Sequence, residues 1–566
     1  MIPTIDTDVL VIGGGGAGAR AALTAAESGV RVVLALKGLF GTSGATAYRV
    51  ASVGGFQAAT GLADPDDTPA EHFNDIVRAA QGMCNERLAR IVATEAPGVL
   101  ADLVARGVDL DTENDRPVIS TGCFASRPRM YWIRGHGHSI VRVLKPAIAA
   151  RGVDVRERVI ATSLLLADGA CAGATLLDRT GRLVAVRARA TILCTGGAAR
   201  LFAPSLVPPE ITGDGYALAF RAGAALANLE FMQCGFGVVH PVTYLLAPHL
   251  WRLVPELRNG RGEAFLPRYL PAGLTVDACA SARATHFPFS GRGPDRLIDI
   301  AAHTELLEGR GTARDAVLVD FRDRSARLPG LPPAVRRRWE YLRQKLGEHG
   351  MDPEETPVEV SILGHAFNGG VLIDECGRST LEGLYAAGEA AAGPHGADRL
   401  GGNMLMTSQV FGHRAGRAAA QAARTAPPRE IDGAALDAEA RRLTEMRRPE
   451  GRHRLEELLT RLQRRMWRIA IVRAERSLRD RLDDIAEVED ALRTARAAGP
   501  DDLRRVVELE NLVLVGRLVT TAALTRRESR GSHYRADFPE TDDAAWRRSI
   551  VVRCVDGRPA QTLAAL

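Results

Sequence analysis

Two glycine-rich stretches, far apart in the chain, carry the residue types best suited to chemistry. In the first, the apolar run Asp8–Ile12 leads directly into Gly13-Gly14-Gly15-Gly16-Ala17-Gly18, then into helical sequence and a second apolar run, Arg31–Leu36. Strand, glycine turn, helix and strand in that order form the frame that holds a dinucleotide's phosphates. Gly13 permits the tight turn, Gly15 lets the backbone approach a pyrophosphate, and Gly18 lets helix and strand pack closely. The helix start at Gly16 and Ala17 then offers unpaired N–H groups to the phosphates. The second stretch, GLYAAGEAAAGPHGADRLGGN over Gly383–Asn403, sets an acid, Glu389, after an apolar strand. Arg399 follows in a glycine frame, and Gly402 and Asn403 lead a helical run that begins Met404-Leu405. Together the two stretches imply one cofactor gripped from both ends of the sequence.

Other segments must complete that grip. The acid that usually follows the glycine turn by ~20 residues, to hold a ribose, falls at Leu36 or Lys37. Its absence weighs against NAD and leaves the ribose to backbone or to another residue. Thr42-Ser43-Gly44-Ala45-Thr46 and Gly54-Gly55 form a loop of small residues suited to lying against a flat ring system. Thr191–Gly197 is a strand ending in Thr195-Gly196-Gly197, the kind of strand end that lies beside the adenine and pyrophosphate half of a dinucleotide.

The 566 residues are enough for two to four domains, and 46% hydrophobic with 25% charged content is ordinary for a globular enzyme. The net charge of +5 is spread along the chain, and arginine supplies nearly all of the positive charge, which argues against nucleic-acid binding. No apolar run is long enough to span a membrane, and the chain enters its first strand without a signal segment. Eight scattered cysteines with no CxxC pair argue against a zinc or iron–sulfur site and against a disulfide framework, so no metal and a cytoplasmic setting are expected.

The motifs GGGGAG, ILCTGG, TGDGYALAFRAGA, HAFNGG, GLYAAGE and HGADRLGGN occur in that order. With the C-terminal LENLVLVGRLVTTAALTRRESRGSHYRADFPETDDAAW, the chain resembles the succinate dehydrogenase/fumarate reductase flavoprotein family, whose relatives include L-aspartate oxidase and the adenylylsulfate reductase flavoprotein subunit. The resemblance implies FAD as cofactor. It places Gly13, Gly15 and Gly18 at the pyrophosphate, Lys37 after the second strand, Asp214 in the TGDG turn and Glu389 on a cofactor hydroxyl. It also sets Asn403 and the helix from Met404 at the flavin's pyrimidine end, where a helix N-terminus stabilises negative charge on reduced flavin. Many relatives attach FAD through a histidine in the loop after the second strand. Ser43–Gly55 contains none, so non-covalent FAD is expected.

For the substrate, the resemblance matches His365 of HAFNGG to a histidine that contacts a carboxylate, and Arg399 to an arginine that clamps one. A planar guanidinium can donate two charge-assisted hydrogen bonds to a single carboxylate. Asp398 stands where relatives have asparagine. Arg292, in FSGRGPDRLIDIA, matches a proton-transfer arginine, with Gly293 where its supporting acid would be. The family's Tyr-His-Pro-Thr-Gly segment is replaced by Cys234-Gly235-Phe236-Gly237, so its histidine is missing. His240 lies too far along to substitute unless the loop is rebuilt. The family's Thr-Glu pair aligns with Leu257-Arg258, and only Arg261-Gly262-Glu263 remains of the segment after it.

The implied architecture is an α/β Rossmann-like FAD-binding domain, with an inserted α+β capping domain and a C-terminal helical domain. The FAD-binding domain takes 1–233 and 357–425, the cap 234–356 and the helical domain 430–566. Leu455, Leu458, Leu459 and Leu462 recur at helical spacing, Met466 and Trp467 fit a helix core, and a second helical run covers Pro500–Arg526. The reaction expected is dehydrogenation or oxidation of a small carboxylate substrate, amino acids and related amines included, by hydride transfer to flavin N5. Oxygen or a separate protein would accept the electrons. A fumarate reductase-type enzyme or electron-transfer subunit is the first alternative, and a non-catalytic flavin-binding scaffold the second. Oligomeric state is left open.

Overall fold

The computed structural model describes residues 2–48 and 54–565. Its central sheet has seven strands. Thr4–Ile12 lies between Val32–Leu36 and Leu183–Leu193, parallel to both, and Asp154–Glu157 extends the sheet beyond Val32–Leu36. Ala170–Leu177 and Ile160–Ala167 add an antiparallel meander on the other side. Six consecutive buried residues end the first strand, the expected pattern where helices or strands cover both faces of a parallel sheet. Leu384–Ala386 pairs in parallel with Thr191–Leu193, so the distant stretch rejoins the first sheet at its C-terminal edge.

The helices Gly16–Glu27 and Asn403–Thr425 pack against each other along a seam of small residues. A β-carbon on Gly412 would sit 2.7 Å from the Ala17 carbonyl oxygen, and one on Gly416 2.5 Å from that of Ala21. Arg20 donates to Gln409 at 3.1 Å, and Gln409 donates to the Gly16 carbonyl at 2.8 Å. These two distant stretches therefore meet as one unit, with both helix N-termini at the same edge of the sheet.

Above that edge lies a five-stranded antiparallel sheet, built around Met232–His240 paired with Val358–Phe367. The helices Val276–Arg283, Arg296–Leu307 and Pro333–Gly347 accompany it. Phe236 packs on Trp251 and Phe321 on Trp339, with ring centres 5.5 and 5.4 Å apart. Residues 433–525 form four helices. In Leu455–Trp467 the residues Leu455, Leu458, Leu462, Met466 and Trp467 are buried, while Leu459 is only partly so. Trp467 donates its indole N–H to the Ile362 carbonyl at 2.9 Å, tying this bundle to the upper sheet. Pro500–Thr525 is one continuous helix.

The last segment departs from an all-helical end. Ser549–Val555 and Arg558–Ala564 form a hairpin that joins Leu226–Ala227 and Gly370–Leu372 in a mixed sheet. Its first strand buries Ser549–Val552 against strands contributed from far earlier in the chain. No helix among the described residues is long and apolar enough to cross a membrane.

Candidate functional site

A long cleft, with a cavity volume of about 240 Å³, runs between the central sheet's C-terminal edge and the upper sheet. Its floor is mostly backbone. Gly13 has φ +107°, and a β-carbon there would lie 2.2 Å from the Cys194 carbonyl oxygen. Gly18 packs against the turn itself, since its β-carbon would fall 1.8 Å from the Gly13 oxygen. Gly15 differs from both. It has ordinary backbone angles, and a β-carbon would meet nothing nearer than Thr46 Oγ1, at 3.7 Å. The space kept by that missing side chain belongs to the cleft.

Both helices that start at this floor lack a side-chain cap on their N-cap residue and an acid in their first turn. Their leading N–H groups therefore present partial positive charge to the cleft at two points. Thr46 Oγ1 accepts one of these, Gly16 N–H, at 3.1 Å, which fixes the small-residue loop against the first helix. Two uncapped helix starts and a side-chain-free glycine surface fit a dinucleotide with an anionic middle.

Of the residues the sequence singles out, Gly13, Gly15, Gly16, Ala17, Lys37, Ser43, Gly44, Ala45, Thr46, Gly54 and Gly55 line the cleft. So do Thr195, Gly196, Asp214, His365, Glu389, Arg399, Gly402, Met404 and Leu405. Arg49–Val53, inside the histidine-free Ser43–Gly55 stretch, lie outside the described residues.

Four of the expected site residues stand behind the lining. Gly18 serves turn packing. Gly197 makes room for Glu389, whose Oε1 would be 2.2 Å from a β-carbon at that position. Asn403 is buried with its Oδ1 3.3 Å from His72 Nε2. Arg292, matched by the resemblance to a proton-transfer arginine, does not line the cleft. Its Nη2 pairs with Asp398 at 3.1 Å and donates to the Ala79 carbonyl at 2.8 Å, and its guanidinium lies 4.6 Å from the centre of the Phe124 ring. An acid thus stands beside Arg292 from position 398, in place of the one absent at position 293. Lys37 and Asp214 reach the lining but satisfy each other, at 2.8 Å, and Lys37 also pairs with Glu508 of the C-terminal helix at 2.9 Å. Burial opposes the lysine's charge, but its two acids outweigh that and raise its pKa.

The polar side chains left open are few. Arg399 is 8% exposed, donates Nη1 to the Leu400 carbonyl at 3.1 Å, and has no protein partner for Nε. Burial lowers its pKa, with Glu389 and Cys123 acting in the opposite sense. Glu389 accepts the Phe367 N–H at 3.0 Å, and burial raises its pKa to about 7 despite that bond and Arg399. Burial and then the Arg399 charge push His365 down to about 3, so its imidazole is neutral at neutral pH, and its Nδ1 has no protein partner.

Sequence reasoning missed several groups. His395 is buried, driven to about 3 by burial and then by Arg399, with Nε2 unpaired. Glu210 lines the cleft and accepts the Gly44 N–H at 2.9 Å, placing an acid beside the small-residue loop. Phe287, Leu245 and Cys123 line the cleft together with His365 and Arg399. Phe287 meets the His365 ring edge-on, with centres 5.4 Å apart and planes at 88°. It also packs against position 235. A β-carbon on Gly235 would lie 2.9 Å from the Phe287 carbonyl oxygen and 3.0 Å from its ring. The phenyl ring therefore fills the space a side chain at 235 would need. His240 does not line the cleft, and Arg258 pairs with Asp320 at 3.3 Å.

Residues 8–405 match the family described as FAD binding domain, and residues 459–563 match Fumarate reductase flavoprotein C-term. The chain belongs to this family of FAD-dependent oxidoreductases, and its cofactor is FAD. Among its relatives, it is 36% identical to one of the subunits of the CoM/CoB fumarate reductase of Methanothermobacter marburgensis, with 97% of each chain covered. It is 32% identical to L-aspartate oxidase of Caulobacter vibrioides, over 97% of this chain and 96% of the other. Mycobacterium smegmatis Sdh1 superposes with a TM-score of 0.88 at 31% identity, covering 100% of this chain and 95% of that one.

Proposed function

We propose that the protein oxidises or dehydrogenates a small carboxylate substrate, amino acids and related amines included, bound at the Arg399 end of the cleft. The observation that carries this reading is Arg399 itself. It is a buried guanidinium that opens on the cleft, with Nε unpaired by protein and no carboxylate bonded to it among the described residues. Such a group is costly to bury alone, and a substrate carboxylate supplies the missing partner.

The chemistry that FAD supplies when bound is acceptance of a hydride at its N5 atom. Gly13, Gly15 and the first N–H groups of Gly16–Glu27 would hold its pyrophosphate. Glu389 or Glu210 would take its hydroxyls, and the Asn403–Thr425 helix start would face its pyrimidine end. Arg399 binds and orients the substrate. Neutral His365 offers a hydrogen bond to the same carboxylate. Because the Arg399 charge is one of the two causes of its low pKa, carboxylate binding makes His365 more basic. The upper sheet and its helices roof the cleft and exclude water. With no histidine in Ser43–Gly55, the cofactor is held without a covalent bond, and acid precipitation of the protein should leave the flavin in solution.

The test is anaerobic bleaching of the flavin by a panel of carboxylic and amino acids. Arg399→Gln should lower the bleaching rate on the order of a thousandfold at unchanged flavin content, the loss expected for a positioning cation at a reacting centre. Unchanged bleaching in that variant sinks the assignment. A second reading concerns only where the electrons leave. Two relatives bear names that make each of them one component of a larger fumarate reductase, which favours transfer to a partner protein over transfer to oxygen. Reoxidation of the bleached protein by air, timed against turnover, separates the two.

A further inference from the structure

Cations and apolar surface are distributed unevenly around the Arg399 end of the cleft. The only cationic side chains on the described lining are Lys37 and Arg399, and Lys37 is held by Asp214 and Glu508. Two more guanidiniums stand behind this wall, and both are matched to acids. Arg283 pairs with Asp299 at 3.1 Å and donates to the His286 carbonyl at 2.6 Å, while Arg292 pairs with Asp398. His365 is neutral. Arg399 therefore has the capacity to neutralise one carboxylate, and the described residues provide no second cation for another.

The remaining wall is apolar. Phe287, 6% exposed, forms a cluster with buried Leu206 and Leu363, and Leu245 and Cys123 pack on it. Gly235 and Gly237 lie beneath this cluster without side chains. A β-carbon on Gly235 would strike the Phe287 ring, and one on Gly237 would lie 1.9 Å from Leu363 Cδ1. The apolar groups occupy the space that side chains at these two positions would need. A second carboxylate set here would lose its water and gain no counter-charge from the described residues, whereas an apolar tail would gain from burial.

We propose that the substrate carries a single carboxylate, held by Arg399, and an apolar tail that lies against Phe287 and Leu245. This rests on the carboxylate reading of Arg399 and narrows it. It makes Phe287 a specificity-determining residue.

Calorimetric binding to the FAD-loaded protein tests it without relying on turnover, with propionate, butyrate, hexanoate, 3-phenylpropionate and succinate compared at equal ionic strength. The expected result is affinity rising about fourfold per added methylene until the pocket fills. 3-Phenylpropionate should bind roughly tenfold or more tightly than succinate, and Arg399→Gln should remove most of that affinity. Phe287→His should cut the preference for 3-phenylpropionate about tenfold, while Phe287→Leu, which keeps the wall apolar, should retain most of it. Succinate binding as tightly as 3-phenylpropionate, with Arg399 still required, overturns the single-carboxylate inference and leaves the carboxylate reading intact. Binding that ignores Arg399→Gln, or no binding by any of the five acids, overturns both.

Discussion

The floor and the roof of the cleft are built by different means. The floor is made of backbone, namely glycine turns and two helix starts, and its chemistry resides in N–H groups. The roof and the Arg399 end are made of side chains, namely a guanidinium, an imidazole, a phenyl ring and their neighbours. A backbone-built surface depends on the absence of side chains at fixed positions, and few sequences satisfy it. A side-chain-built surface can be rewritten one residue at a time without disturbing the fold.

The sharpest way to break this contrast is to add single methyl groups to the floor. Gly18→Ala places a β-carbon 1.8 Å from the Gly13 oxygen, so the protein should fail to accumulate in folded form, as read by soluble yield and circular dichroism. Gly15→Ala has no such clash, and should fold normally yet lose most of its flavin, because the methyl group occupies the phosphate surface. Full flavin content in Gly15→Ala would falsify the backbone-grip description.

On the roof, Arg292→Ala leaves Asp398 buried opposite Ser290 without its counter-charge. We expect a loss of about 2–3 kcal/mol in urea unfolding at pH 8, a value reduced because a third of the Arg292 side chain is in solvent. The loss should shrink toward pH 5, where Asp398, whose pKa burial already raises, can take up a proton in the variant. Substrate-dependent bleaching should suffer far less than in Arg399→Gln. Equal damage to both would restore Arg292 to the reaction.

The smallest expected effect is a slope with pH. His72, His365 and His395 are held at about 3 and His303 at about 4, in each case chiefly by burial. The unfolded chain binds these protons near pH 6.5 and the folded chain does not, so stability is complete above that pH and is lost as pH falls toward 3. Glu389, raised to about 7, and Asp299, raised to about 6, work in the opposite direction below those values, but the four histidines outnumber them. His72→Gln should flatten the slope measurably. An unchanged slope would mean that His72 is protonated in the fold.

The same division governs how much could be read from the sequence. Gly13, Gly15 and Gly18 were legible because each has a steric reason tied to its spacing within one strand–turn–helix unit. The helix Pro500–Thr525 and the buried face of Leu455–Trp467 were legible from periodicity. The partner of Arg292 was not legible, because Asp398 lies 106 residues away and spacing along the chain carries no trace of that pair. Phe287 was missed for a similar reason. The two phenylalanines of THFPFS look like ordinary core, and only the fold shows that Phe287 packs over Gly235 beside the cleft. The terminal hairpin escaped because its pairing partner, Leu226–Ala227, is too short to read as a strand.

The seam between Gly16–Glu27 and Asn403–Thr425 has a consequence for biosynthesis. The nucleotide-binding turn emerges first from the ribosome, but the helix that packs on it, and the Leu384–Ala386 strand that joins its sheet, come almost 400 residues later. At about 5–20 residues per second, the early half must wait on the order of half a minute with its partner surface exposed. Lys37 waits longer still, for Glu508. Flavin loading should therefore be a late event that awaits synthesis of Pro500–Thr525, and truncation before that helix should yield a colourless, chaperone-bound product.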